Sequence, residues 1–460
     1  MRGLTPAQEV IEAALSLPGA ERVVLVEESH EVEVRFAVNT TTTNGVRLDR
    51  RVTVVALADV EGGRAAGVAR RGGEVDVADL VAAAGADAAG AAPAEDAQPL
   101  LVGGADPSFA LPPDPTDMEV LSGVLSELAG AFARAGRSDR VLSGFCEHTV
   151  ATTYLGTSTG LRVRHAQPTG ALHLVGRSTD GSRSAWAGAG TARFADVTLG
   201  DLEEKVVRGL GWAGRQVDLD PGRYEVLLPP DAVADLMVGL IGAAGGREAE
   251  DGRTVFSAPG GGTRVGDALS PLPFDLWSDP GAPGIECAPY LFTPASSSDV
   301  SVFDNGLPIG RVGWIEGGHL RRLRYHRAGA ARAGSPVTPP VDNLALELPG
   351  ARASLEEMVA RTERGLLLTC LWYIREVDPT TLLLTGLTRD GVYVVEDGKV
   401  VGAANNFRFN ESPVDLLSRA SEAGAAVRSL GREFGEWANR TRTPPLRIPD
   451  FNMSSVSPAS

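Results

Sequence analysis

Six histidines and three cysteines give this chain its widest chemical range: His30, His148, His165, His173, His319 and His326, with Cys146, Cys287 and Cys370. A zinc peptidase needs two histidines close together on one helix, a third ligand, and a glutamate to handle the proton of the metal-bound water. No His-Glu pair followed by a nearby histidine occurs. His319 and His326 lie among Arg321, Arg322 and Arg324, whose positive charge repels a cation. His165 and His173 fall in neighbouring strand-like segments, and the pattern predicts that they face one another across a hairpin without a third ligand. A nucleophile is no better supplied, since there is no G-x-S-x-G elbow. In Cys146-Glu147-His148 only the outer two share a face of a strand. Cys370, inside Leu366 to Trp372, reads as a small buried hydrophobe. Gly260-Gly261-Gly262 lacks a P-loop lysine and reads as a flexible loop. The residues by themselves therefore predict no catalytic group and no metal site. The competing reading is a divergent hydrolase built on Cys146 and His148, or on His165 and His173 with a metal.

Bulk properties exclude further classes. The 460 residues carry a net charge of −16, which argues against binding to nucleic acid or to anionic lipid. Hydrophobic residues make up 43%, enough for a sizeable core and, at this length, for two or three domains. Three widely spaced cysteines fit a reducing compartment without a disulfide framework. Met1 to Gly19, interrupted by Glu9 and Glu12, is no signal peptide, and no apolar run is long enough for a bilayer. These features predict a cytoplasmic protein with no membrane contact.

The elements that must position these residues follow from periodicity. A helix is expected over residues 5–16, with Thr5 as its cap and Gln8 completing a capping box. Strands are expected at 21–27, 31–38 and 51–57, with a tight turn at Asn44-Gly45. Residues 82–97 read as a helical end running into a loose Ala/Gly/Pro-rich linker of about 82–115. Thr116 to Ala135 carries a helical stripe. Strands then cover 149–155, 162–166 and 171–176, with Asp180-Gly181 as a hairpin turn, before a short helix at 199–210. Pro221-Gly222 marks a boundary. Beyond it come a strand at 223–228, an apolar helix at 232–244, and turns at Asn305-Gly306, Gly317-Gly318 and Asp397-Gly398. Ser354 with Glu357 caps a helix expected to stop at Gly365, and Ser412-Pro413 opens one expected to stop near Gly424.

The second half resembles the TldD/PmbA family of peptidases. The resemblance rests on Phe256-Ser257-Ala258-Pro259-Gly260, on Ser270-Pro271-Leu272 with Phe274-Asp275 before an expected strand around Val302, and on Phe303-Asp304-Asn305-Gly306. It continues through Arg375-Glu376-Val377-Asp378, Thr385-Gly386, Gly391 to Lys399 and Pro444 to Ile448. Weaker likeness extends over the first half. A helix followed by a meander reads as an α+β fold, with an N-terminal α/β layered domain (1–219), and the hairpin density of the second half predicts a mainly antiparallel β, barrel-like C-terminal domain (220–460). In the active branch a helix carries H-E-x-x-x-H, and a cysteine near the C-terminus completes the zinc site. Met237, Val238 and Gly242 stand at the corresponding positions, and no cysteine follows Cys370. That departure resembles the TldE (PmbA) branch. It implies a non-catalytic subunit without zinc of its own, whose partner is a zinc-bearing TldD-like chain and which helps enclose unfolded or extended peptide substrates. A homodimeric peptide-binding protein is the alternative.

Overall fold

The computed structural model describes residues 4–457. Helix α1 (Ala7–Ser16) buries Ala7, Val10, Ile11 and Ala14, the spacing that turns one stripe of a helix toward a core. Its expected cap is not used. Pro6 occupies the N-cap without a side-chain bond. The Thr5 hydroxyl donates to Glu74 at 2.8 Å, and the Gln8 amide to the carbonyls of Phe109 and Leu111 at 2.9 Å. Distant partners displace the local motif.

Six antiparallel strands form the first sheet, in the order β3-β2-β1-β4-β5-β6: β1 (Arg22–Ala37), β2 (Thr40–Val60), β3 (Gly63–Gly72), β4 (Arg140–Thr157), β5 (Arg162–Ser178) and β6 (Ser184–Thr191). The two strands expected at 21–27 and 31–38 are one. Asn44-Gly45 is no turn; both residues lie inside β2, opposite Val34 and Glu33. The chain reverses at Val38 and Asn39, with φ of 51° and 58°, the double positive φ of a two-residue hairpin. Asn39 donates to the Arg140 carbonyl and accepts from Leu142 N at 2.7 Å, so β4 selects the turn. Asp180-Gly181 does turn between β5 and β6, with Gly181 at φ 75°.

Helices α2 (Val77–Gly90), α3 (Ser122–Arg137) and α4 (Leu199–Trp212) join α1 on one face of this sheet. Val24, Val26 and Val54 pack beneath α1 and α2, while Val32, Val34, Cys146 and Leu172 pack beneath α3 and α4. Alternation along a strand sends the intervening residues to the other side. That face carries Glu31, Glu33, Phe145, Glu147, Thr149, His165 and Gln167, all half-buried. The segment after α2 packs more tightly than a loose linker, with Leu100 and Phe109 buried. The expected helix from Thr116 begins as a 3₁₀ turn, Met118–Leu121, before α3.

Beyond residue 215 two further sheets enclose helix α5 (Pro230–Gly242) and a core containing Leu236, Met237, Phe256, Phe274, Trp314 and Phe407. The larger has ten mainly antiparallel strands, with Gly222–Leu228 and Leu446–Val456 paired at its centre. It is open, not barrel-like. Closure requires the first and last strands to pair, but the ends of the order, Leu371–Asp378 and Gln216–Val217, do not. The other sheet has six strands, also open. Val302–Asp304 is a 3₁₀ turn where a strand was expected. Ser354 and Glu357 form the expected capping box, but the helix ends at Ala360, and Gly365 lies in the strand Arg364–Leu368. The helix from Pro413 ends at Arg419, short of Gly424.

Candidate functional site

The histidines and cysteines do not converge. His165 and His173 both lie on β5, opposite Thr153 and Phe145, so seven residues of extended chain lie between them. The hairpin expectation is corrected accordingly. His148 accepts from or donates to Thr116 through Nδ1 at 2.7 Å and donates Nε2–H to the Ala192 carbonyl at 2.8 Å. Both ring nitrogens are thereby engaged away from Cys146. Burial pushes the Cys146 thiol up to about 12, far from the thiolate a nucleophile requires. His173 is packed flat on Phe145, with ring centroids 4.6 Å apart, and burial pushes it down to about 3. His326 caps the helix Arg327–Ala333 by accepting from Gly329 N. Among the described residues, no three of His, Cys, Asp and Glu are placed to hold a metal ion.

A different constellation is assembled at the start of α5. Pro230 at its first turn suits the fixed φ of proline. Asp231 accepts from Leu430 N at 2.9 Å. Asp235, fully buried, accepts from Arg432 N and Phe434 N at 2.9 Å and from Glu433 N at 3.2 Å. Burial pushes its carboxyl up to about 7 against the pull of these three N–H groups. A Cβ on Gly431 would lie 2.2 Å from Asp235 Oδ1, so glycine is what lets the loop approach so closely.

The same loop touches two other elements. The Arg432 guanidinium lies 4.1 Å from the Trp372 ring centroid and 5.4 Å from that of Trp186 on β6, a cation held between aromatic faces. Glu433 accepts from Tyr373 N at 2.9 Å and from Arg375 at 2.8 Å. Tyr373 and Arg375 belong to Leu371–Asp378, the edge strand of the large sheet. Outward from this seam stand Trp437 (75% exposed), Val377 (58%) and Tyr373 (54%). Behind it, Glu147 on the face of the first sheet opposite the helices is raised in pKa by burial and by the charges of Glu31 and Glu436.

The motif Phe303-Asp304-Asn305-Gly306 is a structural knot. Buried Asp304 accepts from Arg327 N at 2.8 Å and Nε at 2.6 Å. Asn305 bonds the backbone of Thr293 in both directions.

The family model described as PmbA/TldA metallopeptidase C-terminal domain matches residues 221–455, just over half of the chain. The chain belongs to the PmbA/TldD family. TldE from Thermococcus kodakarensis matches with a TM-score of 0.78 and 18% identity, covering 97% of this chain and 99% of that one. A putative modulator of a DNA gyrase from Thermotoga maritima matches at 0.76 and 16%, covering 97% and 99%. Another from Bacteroides thetaiotaomicron matches at 0.73 and 15%, covering 98% of each. At these identities the likeness is one of fold. No match is found among curated proteins.

The two carboxylates of α5, Asp231 and Asp235, are both engaged by the loop that follows Ser429. Met237 is buried in the core, Val238 packs on its margin, and Gly242 contributes only a carbonyl, which accepts from Arg324 at 2.8 Å. Zinc takes imidazole, thiolate or carboxylate donors near 2 Å, so these residues do not fit it. The one carboxylate on the inner face, Asp235, is already bonded to three backbone N–H groups. Sequence reasoning missed its role. The signal was an acid alone within Ala232-Val233-Ala234-Asp235-Leu236-Met237-Val238. A buried acid demands partners, but their location in the Arg432–Phe434 loop is visible only in three dimensions.

Proposed function

We propose that this chain is the metal-free subunit of a two-chain peptidase of the TldD/TldE type. It forms one wall of a cavity in which a TldD-like partner supplies zinc and cleaves extended peptide. The observation that carries this reading is the chemistry of α5: a thioether, an isopropyl group and a glycine stand at Met237, Val238 and Gly242. The full-length likeness to TldE from Thermococcus kodakarensis supports it.

Binding falls to the seam beside α5. Leu371–Asp378 has a paired neighbour on one side only, and an unpaired strand edge takes an extended peptide by backbone hydrogen bonds with little regard to sequence. Tyr373, Val377 and Trp437 give alternate side chains an apolar surface. The test is reconstitution. The purified chain is assayed for zinc and peptide cleavage alone, then with an H-E-x-x-x-H chain. The expected result is neither zinc nor cleavage alone, and cleavage in the mixture that depends on this chain. Stoichiometric zinc or cleavage by the chain alone overturns the proposal.

A further inference from the structure

A second concavity shares Trp186 and Asp231 with the seam and lies between α4 and β6 on one side and the short helix Leu355–Ala360 with the strands Arg364–Leu368 and Val392–Glu396 on the other. Its volume is about 430 Å³, within the range of small-ligand sites. Gly209 makes it possible. A Cβ there would lie 2.6 Å from the Tyr393 hydroxyl and 2.9 Å from Ala185, so α4 could not otherwise settle on both elements. Trp212 meets Tyr393 edge to face, with centroids 5.0 Å apart, and the two form an aromatic wall.

Two donors in the lining lack acceptors, and one of them, the Trp186 indole N–H, is fully enclosed. Tyr393 is 2% exposed and its hydroxyl makes no hydrogen bond among the described residues. Trp186 is 7% exposed and its indole N–H is unpartnered. Leaving such groups unpaired is costly. The charge around them is cationic. Lys205 and Arg352 make no ion pair or hydrogen bond among the described residues. Arg208 and Arg428 are paired to Glu204 and Asp196. The acids in the lining are Asp231, already bonded to Leu430 N, and Glu356, 3.8 Å from Arg208. Lys205 acts on the Asp231 carboxyl, but four cations stand against two acids at this aromatic cleft, an excess that selects an anion with an apolar body in a chain of net charge −16.

We propose that this cleft binds a carboxylate carried on an apolar or aromatic group, and that its source is the free C-terminus of a peptide. The carboxylate is drawn to Lys205 and Arg352, and the terminal side chain lies against Trp212 and Tyr393. The peptide source rests on the proposed function; the carboxylate chemistry does not.

Calorimetric titration of the full chain tests this with three probes: an acetylated tetrapeptide ending in Phe, the same peptide amidated at its C-terminus, and N-acetylphenylalanine. The free-acid peptide is expected to bind, with the amide at least about tenfold weaker. Exchanging both exposed cations, Lys205→Ala with Arg352→Ala, removes about that factor for the acid and leaves the amide unchanged. Trp212→Ala weakens acid and amide alike. Equal affinity for acid and amide, indifference to loss of the two cations, or no binding of any probe at millimolar concentration overturns the proposal. N-Acetylphenylalanine binding as tightly as the peptide overturns the peptide source and assigns the cleft to a small carboxylate. Because the titration uses the chain alone, failed reconstitution with intact titration counts against the partner-subunit reading. Failed titration with intact reconstitution counts against the cleft.

Discussion

The loop after Leu430 presents two unlike sides. Inward, Arg432, Glu433 and Phe434 give their backbone N–H groups to Asp235, and the Arg432 side chain is held between Trp372 and Trp186. Outward, Trp437, packed on Phe434 of the same loop, stands 75% exposed, and Tyr373 and Val377 of the edge strand are exposed as well. The inner side engages the buried carboxylate fully through backbone N–H groups, although the Arg432 Nε and the indole N–H groups of Trp186 and Trp372 stay unpartnered among the described residues; the outer side leaves large apolar surface exposed along an edge strand. A fixed inner side lets the outer side hold its shape without a partner, which is what a preformed recognition surface requires.

The contrast can be broken most severely from inside. Asp235→Ala leaves three buried N–H groups without an acceptor. Denaturant unfolding should show a loss of about 3 kcal/mol; a loss within about 0.5 kcal/mol would mean that the loop is not held by this carboxylate. Gly431→Ala forces the loop away from Asp235 and should cost about 2 kcal/mol by the same measurement.

The inner side should also respond to pH. Asp235 titrates near 7 when folded and at about 3.9 when unfolded. The folded state therefore holds the extra proton between these values, and stability from this group is lost as pH rises from about 4 through about 7. The difference in unfolding free energy between the native chain and Asp235→Asn should shrink over that window and level off by about pH 8. A difference that is flat with pH would place the carboxylate in its charged form throughout, with the N–H groups outweighing burial.

Changes on the outer side should do the reverse. Trp437→Ser and Tyr373→Ser should alter stability by no more than about 0.5 kcal/mol yet weaken peptide binding or partner association about tenfold, as read by titration. Unchanged binding would move the recognition surface elsewhere. The smallest effect concerns Cys146. With its thiol raised to about 12, it should resist alkylation at pH 8 in the folded chain and react once unfolded, as mass spectrometry would show.

Legibility in the sequence followed the reach of the forces involved. Helix α1 and helix α3 were readable because apolar spacing along a few turns decides which face is buried. The Asp180-Gly181 turn and the Ser354/Glu357 capping box were readable because their partners lie within a few residues. Asn44-Gly45 misled because local turn preference is modest beside the hydrogen bonds that Asn39 makes to β4, a hundred residues away. Thr5 and Gln8 misled for the same reason, since Glu74, Phe109 and Leu111 claim their side chains. The expected barrel failed because hairpin density reports neighbouring pairs, whereas closure depends on the two most distant strands.

By itself, the sequence determined which donors exist at all: no H-E-x-x-x-H, no cysteine after Cys370, and an apolar stretch at Met237 and Val238. Ligand chemistry is a matter of residue identity, so folding cannot supply what the chain lacks. The tertiary structure alone decided what Asp235 grips, which face of the first sheet meets the second half of the chain, and that Lys205 and Arg352 meet Trp212 and Tyr393 at one cleft. Those facts depend on contacts between residues far apart in the chain, whose energies emerge only once the sheets have packed.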